Sequence, residues 1–244
     1  MAAGGYLAHE ADQESVYIFE AVTGRLVKRL GGVGEVIYHL AFSPDGSRLV
    51  ATLDGGEGMR LWETGSWQLL AEDKDYGDEA SYGAAFDSGN RLFTVADDGQ
   101  VRRYAADGHL EAKAATQGGK EPYSIAVHPD GAKLAIGFEY TTTVEVYDAR
   151  TLKRLYAAET IGIRDGNLAA VAWSADGARL YAGKGAKDPF NLFIWFIWAK
   201  EGRGRRSESP LSRPGSAAGH SGCPRPPRRR ADGPSRGRPR RPEP

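Results

Sequence analysis

Three tyrosines recur at nearly even spacing, Tyr38, Tyr82 and Tyr123, and their chemistry is that of recognition rather than bond making. A phenol offers a large apolar face and one hydroxyl at low entropic cost, which suits it to gripping a peptide or protein surface. Side chains that would do more than bind are sparse or badly spaced. Cys223 is the only cysteine, so disulfides, zinc on thiolates and a cysteine nucleophile within residues 1–200 are excluded. The five histidines (His9, His39, His109, His128, His220) show no metal-ligand spacing. Gly31-Gly32-Val33-Gly34 and Gly183-Lys184-Gly185 lack the glycine to Lys-Ser/Thr spacing of a phosphate loop and read as turns. The acidic stretches Glu72-Asp73-Lys74-Asp75 and Asp78-Glu79 read as solvated charge in a connection rather than as a calcium site.

The tyrosines do not recur alone. They lie four residues before Phe42, Phe86 and Val127, in a phrase that returns four times: Ala41-Phe42-Ser43-Pro44-Asp45-Gly46, Ala85-Phe86-Asp87-Ser88-Gly89, Ala126-Val127-His128-Pro129-Asp130-Gly131 and Ala172-Trp173-Ser174-Ala175-Asp176-Gly177. A second anchor, Phe19, Trp62, Tyr104 and Tyr147, keeps intervals of 43, 42 and 43 residues. Two anchors in register mark a repeat of about 40 to 45 residues, whose units must stack on their neighbours to bury their faces. Within one unit strands are expected at 36–43, 48–53, 59–63 and 67–72, joined by Pro-Asp-Gly, Asp-Gly-Gly and Thr-Gly-Ser turns. In such turns Gly accepts positive φ and Asp bonds its own backbone, so the chain reverses without strain. The unit is a four-stranded antiparallel meander. Alanine at 41, 85, 126 and 172 is disfavoured in strands and needs a reason. Either the first strand lines a crowded central channel, or each is a compact core alanine.

Phe42-Ser43-Pro44-Asp45-Gly46 followed by Leu61-Trp62-Glu63 resembles the tryptophan-aspartate (WD) repeat family, with Tyr147-Asp148 the next best match. The resemblance covers roughly residues 5–197, as one partial and four nearly complete units of a divergent, bacterial type. Glu20 and Glu63 stand where that family has Asp, and no Gly-His pair precedes a first strand, so its buried Trp, Ser or Thr, His and Asp network is not carried over. What the resemblance implies is an all-β protein, a β-propeller of four-stranded antiparallel blades. It also implies a non-enzymatic, cofactor-free scaffold that binds a protein or peptide partner. Tyr38, Tyr82 and Tyr123 then stand near the channel mouth, on the face where family members hold ligands; the competing reading packs each between adjacent blades. Two other functions stay open. A propeller enzyme of lactonase or quinoprotein-like type is suggested by Val127-His128-Pro129-Asp130-Gly131 and Thr143-Val144-Glu145-Val146-Tyr147-Asp148, although the channel positions hold Ala and Tyr where such enzymes place acids, Arg or His. The other is nucleic-acid contact through an Arg-rich tail.

Residues 1–200 and 201–244 are different kinds of polymer. The second segment holds twelve Arg and no Lys against four acids, a net +8, and the whole chain sums to zero, so residues 1–200 carry −8. With nine of the thirteen Pro, and Leu211 as its only large aliphatic, it is expected to be disordered, since burial would not offset the entropy of ordering. Either it is a basic arm for nucleic acid or an acidic partner, or it is a GC-rich gene read in the wrong frame. The −8 on residues 1–200 argues against nucleic acid. Just before it, the run at 190–198 is too short for a membrane span. It reads as the third strand of the last unit, with Trp195 48 residues after Tyr147.

At the other end, strands at 5–8, 16–20 and 25–30 supply three of a first blade that lacks its innermost one. The count is about four and a half blades, against roughly 4 to 8 in closed propellers. Open blade faces and an apolar edge at 192–198 predict self-association. Residues 1–5 have neither the basic start nor the apolar stretch of a signal sequence, which with the lone cysteine points to the cytoplasm. The nucleotide sequence across codons 184–206 separates the two accounts of the tail. A second frame that continues with another Ser-Pro-Asp-Gly phrase marks the tail as out of frame, and no such frame leaves the basic arm.

Overall fold

The computed structural model describes residues 1–3, 14–119, 121–163 and 167–183, together with the strand backbone of 195–197. Among the described residues there is no helix, and therefore none long and apolar enough to cross a membrane. Among the described residues eighteen strands form five antiparallel sheets in chain order. The first holds β1 (Ala2–Ala3), β2 (Val16–Phe19) and β3 (Leu26–Leu30); the second β4 (Ile37–Phe42), β5 (Arg48–Leu53), β6 (Met59–Glu63) and β7 (Leu69–Asp73). The third holds β8 (Ser81–Phe86), β9 (Leu92–Ala96), β10 (Gln100–Tyr104) and β11 (Leu110–Ala115); the fourth β12 (Pro122–Val127), β13 (Lys133–Phe138), β14 (Val144–Asp148) and β15 (Arg154–Ala157). The fifth has β16 (Ala170–Trp173), β17 (Leu180–Gly183) and β18 (Trp195–Ile197). Each sheet is an open meander, and no sheet among the described residues closes on itself.

The central strands explain why the sheets stack. Side chains alternate between the two faces of a strand, and β5 is apolar on both: Leu49, Ala51 and Leu53 pack toward the first sheet, Val50 toward the third. The pattern repeats in β13, where Leu134, Ile136 and Phe138 face the third sheet and Ala135 the fifth. Four apolar clusters therefore lie between the five sheets, one at each junction. The first strands of the repeats, β4, β8, β12 and β16, run beside one another in chain order. The anchors Trp62, Tyr104 and Tyr147 are buried as their spacing predicts, and the two tyrosines reach back to the preceding connection. Tyr104 donates to Asp73 at 2.8 Å, and the Tyr147 hydroxyl accepts the Gln117 amide at 2.9 Å.

The recurring phrase is a self-closing turn. Ser43 Oγ donates to Asp45 at 2.6 Å and accepts the Arg48 amide, and Ser174 with Asp176 repeats the arrangement. Successive turns are tied together, Asn90 donating to Asp45 and His128 Nε2 lying 3.1 Å from the Gly177 carbonyl. None of the four recurring alanines is fully buried. Ala41 and Ala85 are half-buried against the clusters between sheets, while Ala172 is exposed. The outer strand of the second sheet begins at Leu69 rather than at 67. Trp67 turns into left-handed backbone at φ 60° and donates its amide to Glu63, which lengthens the turn by two residues. At 195–197 the chain is indeed a third strand, Trp195 opposite Ala182, while the rest of 190–198 lies outside the described residues. So do the strand expected at 5–8 and all of 201–244.

Two substitutions test the stacking. Trp62→Ala removes a large side chain from the cluster between the first two sheets and should cost about 3–5 kcal/mol in denaturant unfolding; a loss under about 1 kcal/mol would place Trp62 on a surface. Gly137 lies so close to the fifth sheet that an added Cβ would stand 2.4 Å from the Ala169 carbonyl oxygen. Gly137→Ala should therefore cost about 1–3 kcal/mol by forcing β13 and the 168–169 segment apart, and a neutral result would contradict that contact.

Candidate functional site

Each of the three tyrosines is the extra residue of a β-bulge. The register of β4 on β5 jumps between Ile37 and His39, that of β8 on β9 between Ser81 and Gly83, and that of β12 on β13 between Pro122 and Ser124. Tyr38, Tyr82 and Tyr123 are the residues passed over. A bulge turns its extra side chain out of the normal alternation, and bulges gather where a side chain must be re-aimed. Here three of them, on adjacent strands, aim three phenols at the same place. Tyr38 and Tyr82 meet edge to face with ring centres 4.8 Å apart, and Tyr82 and Tyr123 meet tilted at 5.1 Å, both within the favourable range for aromatic pairs. Tyr38 is exposed, and the other two are half-buried.

The rings pack against one another across neighbouring sheets and form one row open to solvent. Gly83 permits the approach: a Cβ there would stand 2.9 Å from the Tyr123 carbonyl oxygen. The row ends at the fifth sheet, where the repeat register puts Ala169, fully buried, with its carbonyl taken by Ser124 Oγ at 2.7 Å.

Sequence reasoning missed the carboxylates that accompany the row. Asp54, Asp97 and Glu139 follow the second strand of successive repeats, 43 and 42 residues apart, and this spacing was visible in the sequence. Their amides donate in turn to the carbonyls of Val36, Ala80 and Glu121, so one backbone bond fixes all three at the bulged end of the first strand. Tyr38 donates to Asp54 and Tyr82 to Asp97, each at 3.1 Å. Burial raises both hydroxyls above the ordinary phenol value, and the neighbouring carboxylates add to it. Burial also raises the Asp97 carboxyl, with the charges of Asp54 and Asp98 acting the same way and the Tyr82 hydrogen bond opposing them. Asp97 Oδ1 has no hydrogen-bond partner.

Two hollows flank the row. One of about 90 Å³ is lined by the three tyrosines with His39, Gly83, Ala84, Ser124 and Ile125, well below the ~300–1,000 Å³ of a small-molecule pocket and suited to a side chain. Asp97, which accepts from Tyr82, lines a second, open cleft of about 660 Å³ together with Asp75, Asp78, Glu79, Asp98 and Glu121. Asp75 and Asp98 are paired, with Lys113 and with the buried Arg102, whose guanidinium lies 3.8 Å from the Tyr76 ring centre. Among the described residues the other four have no cationic partner. The acidic stretch read as solvated charge thus has further uses, Asp73 accepting from Tyr104 and Asp75, Asp78 and Glu79 walling this cleft. No family model matches the chain, and no curated protein matches it in sequence.

The raised Asp97 carboxyl gives a test with a definite sign. Folding favours its protonated form, so the ionised carboxylate subtracts from stability at neutral pH, and that loss is relieved as the pH falls through its titration. Asp97→Asn should therefore raise Tm at pH 7 by a few degrees, the gap narrowing at lower pH, as followed by circular dichroism. A lower Tm for the variant at pH 7 would mean that the Tyr82 bond outweighs the desolvation.

Proposed function

We propose that the chain is a propeller-type scaffold of WD-repeat character that binds a protein or peptide partner, without catalysis, through the face bearing Tyr38, Tyr82 and Tyr123. The observation that carries this reading is the triple bulge. Three independent sheets each break their ladder at the same position to present the same residue type, and the row so formed stays open to solvent. A purely structural aromatic gains nothing from a bulge, since normal alternation already delivers side chains to the clusters between the sheets. The propeller part of the reading is favoured by the consecutive stacking of the sheets, first strand beside first strand, and by the recurring turn phrase. Tyrosine rows of this kind supply broad contact area and orienting hydroxyls at protein interfaces.

Selection from a random dodecapeptide library on the full chain, counter-selected on the Tyr82→Leu/Tyr123→Leu chain, tests the face directly. Binders that recur on the parent and are lost on the variant are expected, with the variant's β-sheet circular dichroism unchanged. Identical pools from both chains would remove the face from consideration.

A further inference from the structure

The carboxylates beside the tyrosine row define what the occupant must carry. Asp54 and Asp97 each hold a tyrosine hydroxyl through Oδ2, which leaves Oδ1 of Asp54 bonded only to the Gly55 amide of its own turn and Oδ1 of Asp97 with no donor at all. Glu139 occupies the same register position in the next repeat. Asp97 also opens onto the cleft where Asp78, Glu79 and Glu121 have no cationic partner among the described residues. An aromatic row edged by the carboxylates of Asp54 and Asp97 repels acidic surfaces and offers neutral ones no opposite charge to meet.

We propose that the partner is an arginine-bearing extended segment of a protein, with a guanidinium laid against the Tyr82 and Tyr123 rings and forked onto the carboxylates of Asp54 and Asp97. This deepens the binding-face reading and rests on it. Arginine fits better than lysine on two counts. Its planar cation stacks on phenol rings, and its fixed fork of donors suits carboxylate oxygens, which a single ammonium serves as a point charge only. The small hollow of about 90 Å³ admits a side chain rather than a folded surface, so a segment with projecting arginines is the matching shape. A turn of the Asp97 carboxylate about its Cβ–Cγ bond brings its undonated oxygen to the incoming N–H. Loss of the Tyr82 donor to that group is then compensated by a stronger, charge-assisted one.

The test is fluorescence anisotropy of labelled dodecapeptides alternating Ser with Arg, Lys or citrulline, titrated with the full chain at about 150 mM salt, where exposed long-range attraction is screened within about 8 Å. The Arg peptide should bind, the Lys peptide more weakly, and the neutral, isosteric citrulline peptide at least about tenfold more weakly than Arg, the loss expected for one hydrogen bond to a charged group. Asp54→Asn/Asp97→Asn should weaken the Arg peptide about tenfold or more. Asp107→Asn/Glu159→Gln, two exposed acids away from the row, makes the same change in net charge and should leave it unaltered. Equal weakening by both pairs would reduce the effect to general attraction by a negative chain and overturn the inference. Equal affinity for the Arg and citrulline peptides, still lost in Tyr82→Leu/Tyr123→Leu, would also overturn it while the binding face stands. No dependence on the tyrosines in any titration would bring down both. The asparagine variants are isosteric, and a preserved thermal transition shows that each remains folded.

Discussion

The three middle sheets each have two apolar faces, and that single constraint organises the rest. A meander of four short strands cannot bury both faces by itself, so each of these three depends on a neighbour on either side, and the buried clusters lie at the four junctions rather than inside any one repeat. Close approach is what the small residues secure. Gly137 sits under the 168–169 carbonyls, Gly83 under the backbone of β12, and Ala41 and Ala85, on the first strands, pack half-buried against the clusters. Polar links then set the rotation of one sheet on the next, as with Tyr104 on Asp73 and Asn90 on Asp45.

The site follows from that stacking. Because β4, β8 and β12 run side by side, anything repeated on them becomes a row, and the bulges convert three tyrosines from alternating strand residues into a continuous aromatic surface. The acids that follow the second strands arrive at the same level for the same reason. Asp97 is held at a cost in stability, since burial and its acidic neighbours both favour its neutral form. Residues kept against stability are those expected where a surface awaits a partner.

Much of this was legible in the chain. The phrase around Ser43-Pro44-Asp45-Gly46 located the turns, and the interval from Trp62 to Tyr104 to Tyr147 located buried positions, because both depend on local turn chemistry and on a fixed period. The bulges were not legible, since a one-residue register shift leaves no mark in composition. The outer strand starting at Leu69 escaped for a similar reason: Trp67 has strong strand propensity, but the turn takes it at positive φ. The partner carboxylates Asp54, Asp97 and Glu139 were readable by the same arithmetic as the tyrosines, yet single acids after a strand look like ordinary turn residues until a structure shows the phenols leaning on them.

The central claim is that the bulged tyrosines form the contact surface, and ring-selective carbon NMR on tyrosine-labelled full chain reads it most directly. On titration with the alternating Arg-Ser dodecapeptide, the ring signals of Tyr38, Tyr82 and Tyr123 should move together and saturate at one affinity, while those of the buried Tyr76, Tyr104 and Tyr147 stay in place. Saturating shifts confined to other tyrosines, with the three bulged rings unmoved, would contradict the account.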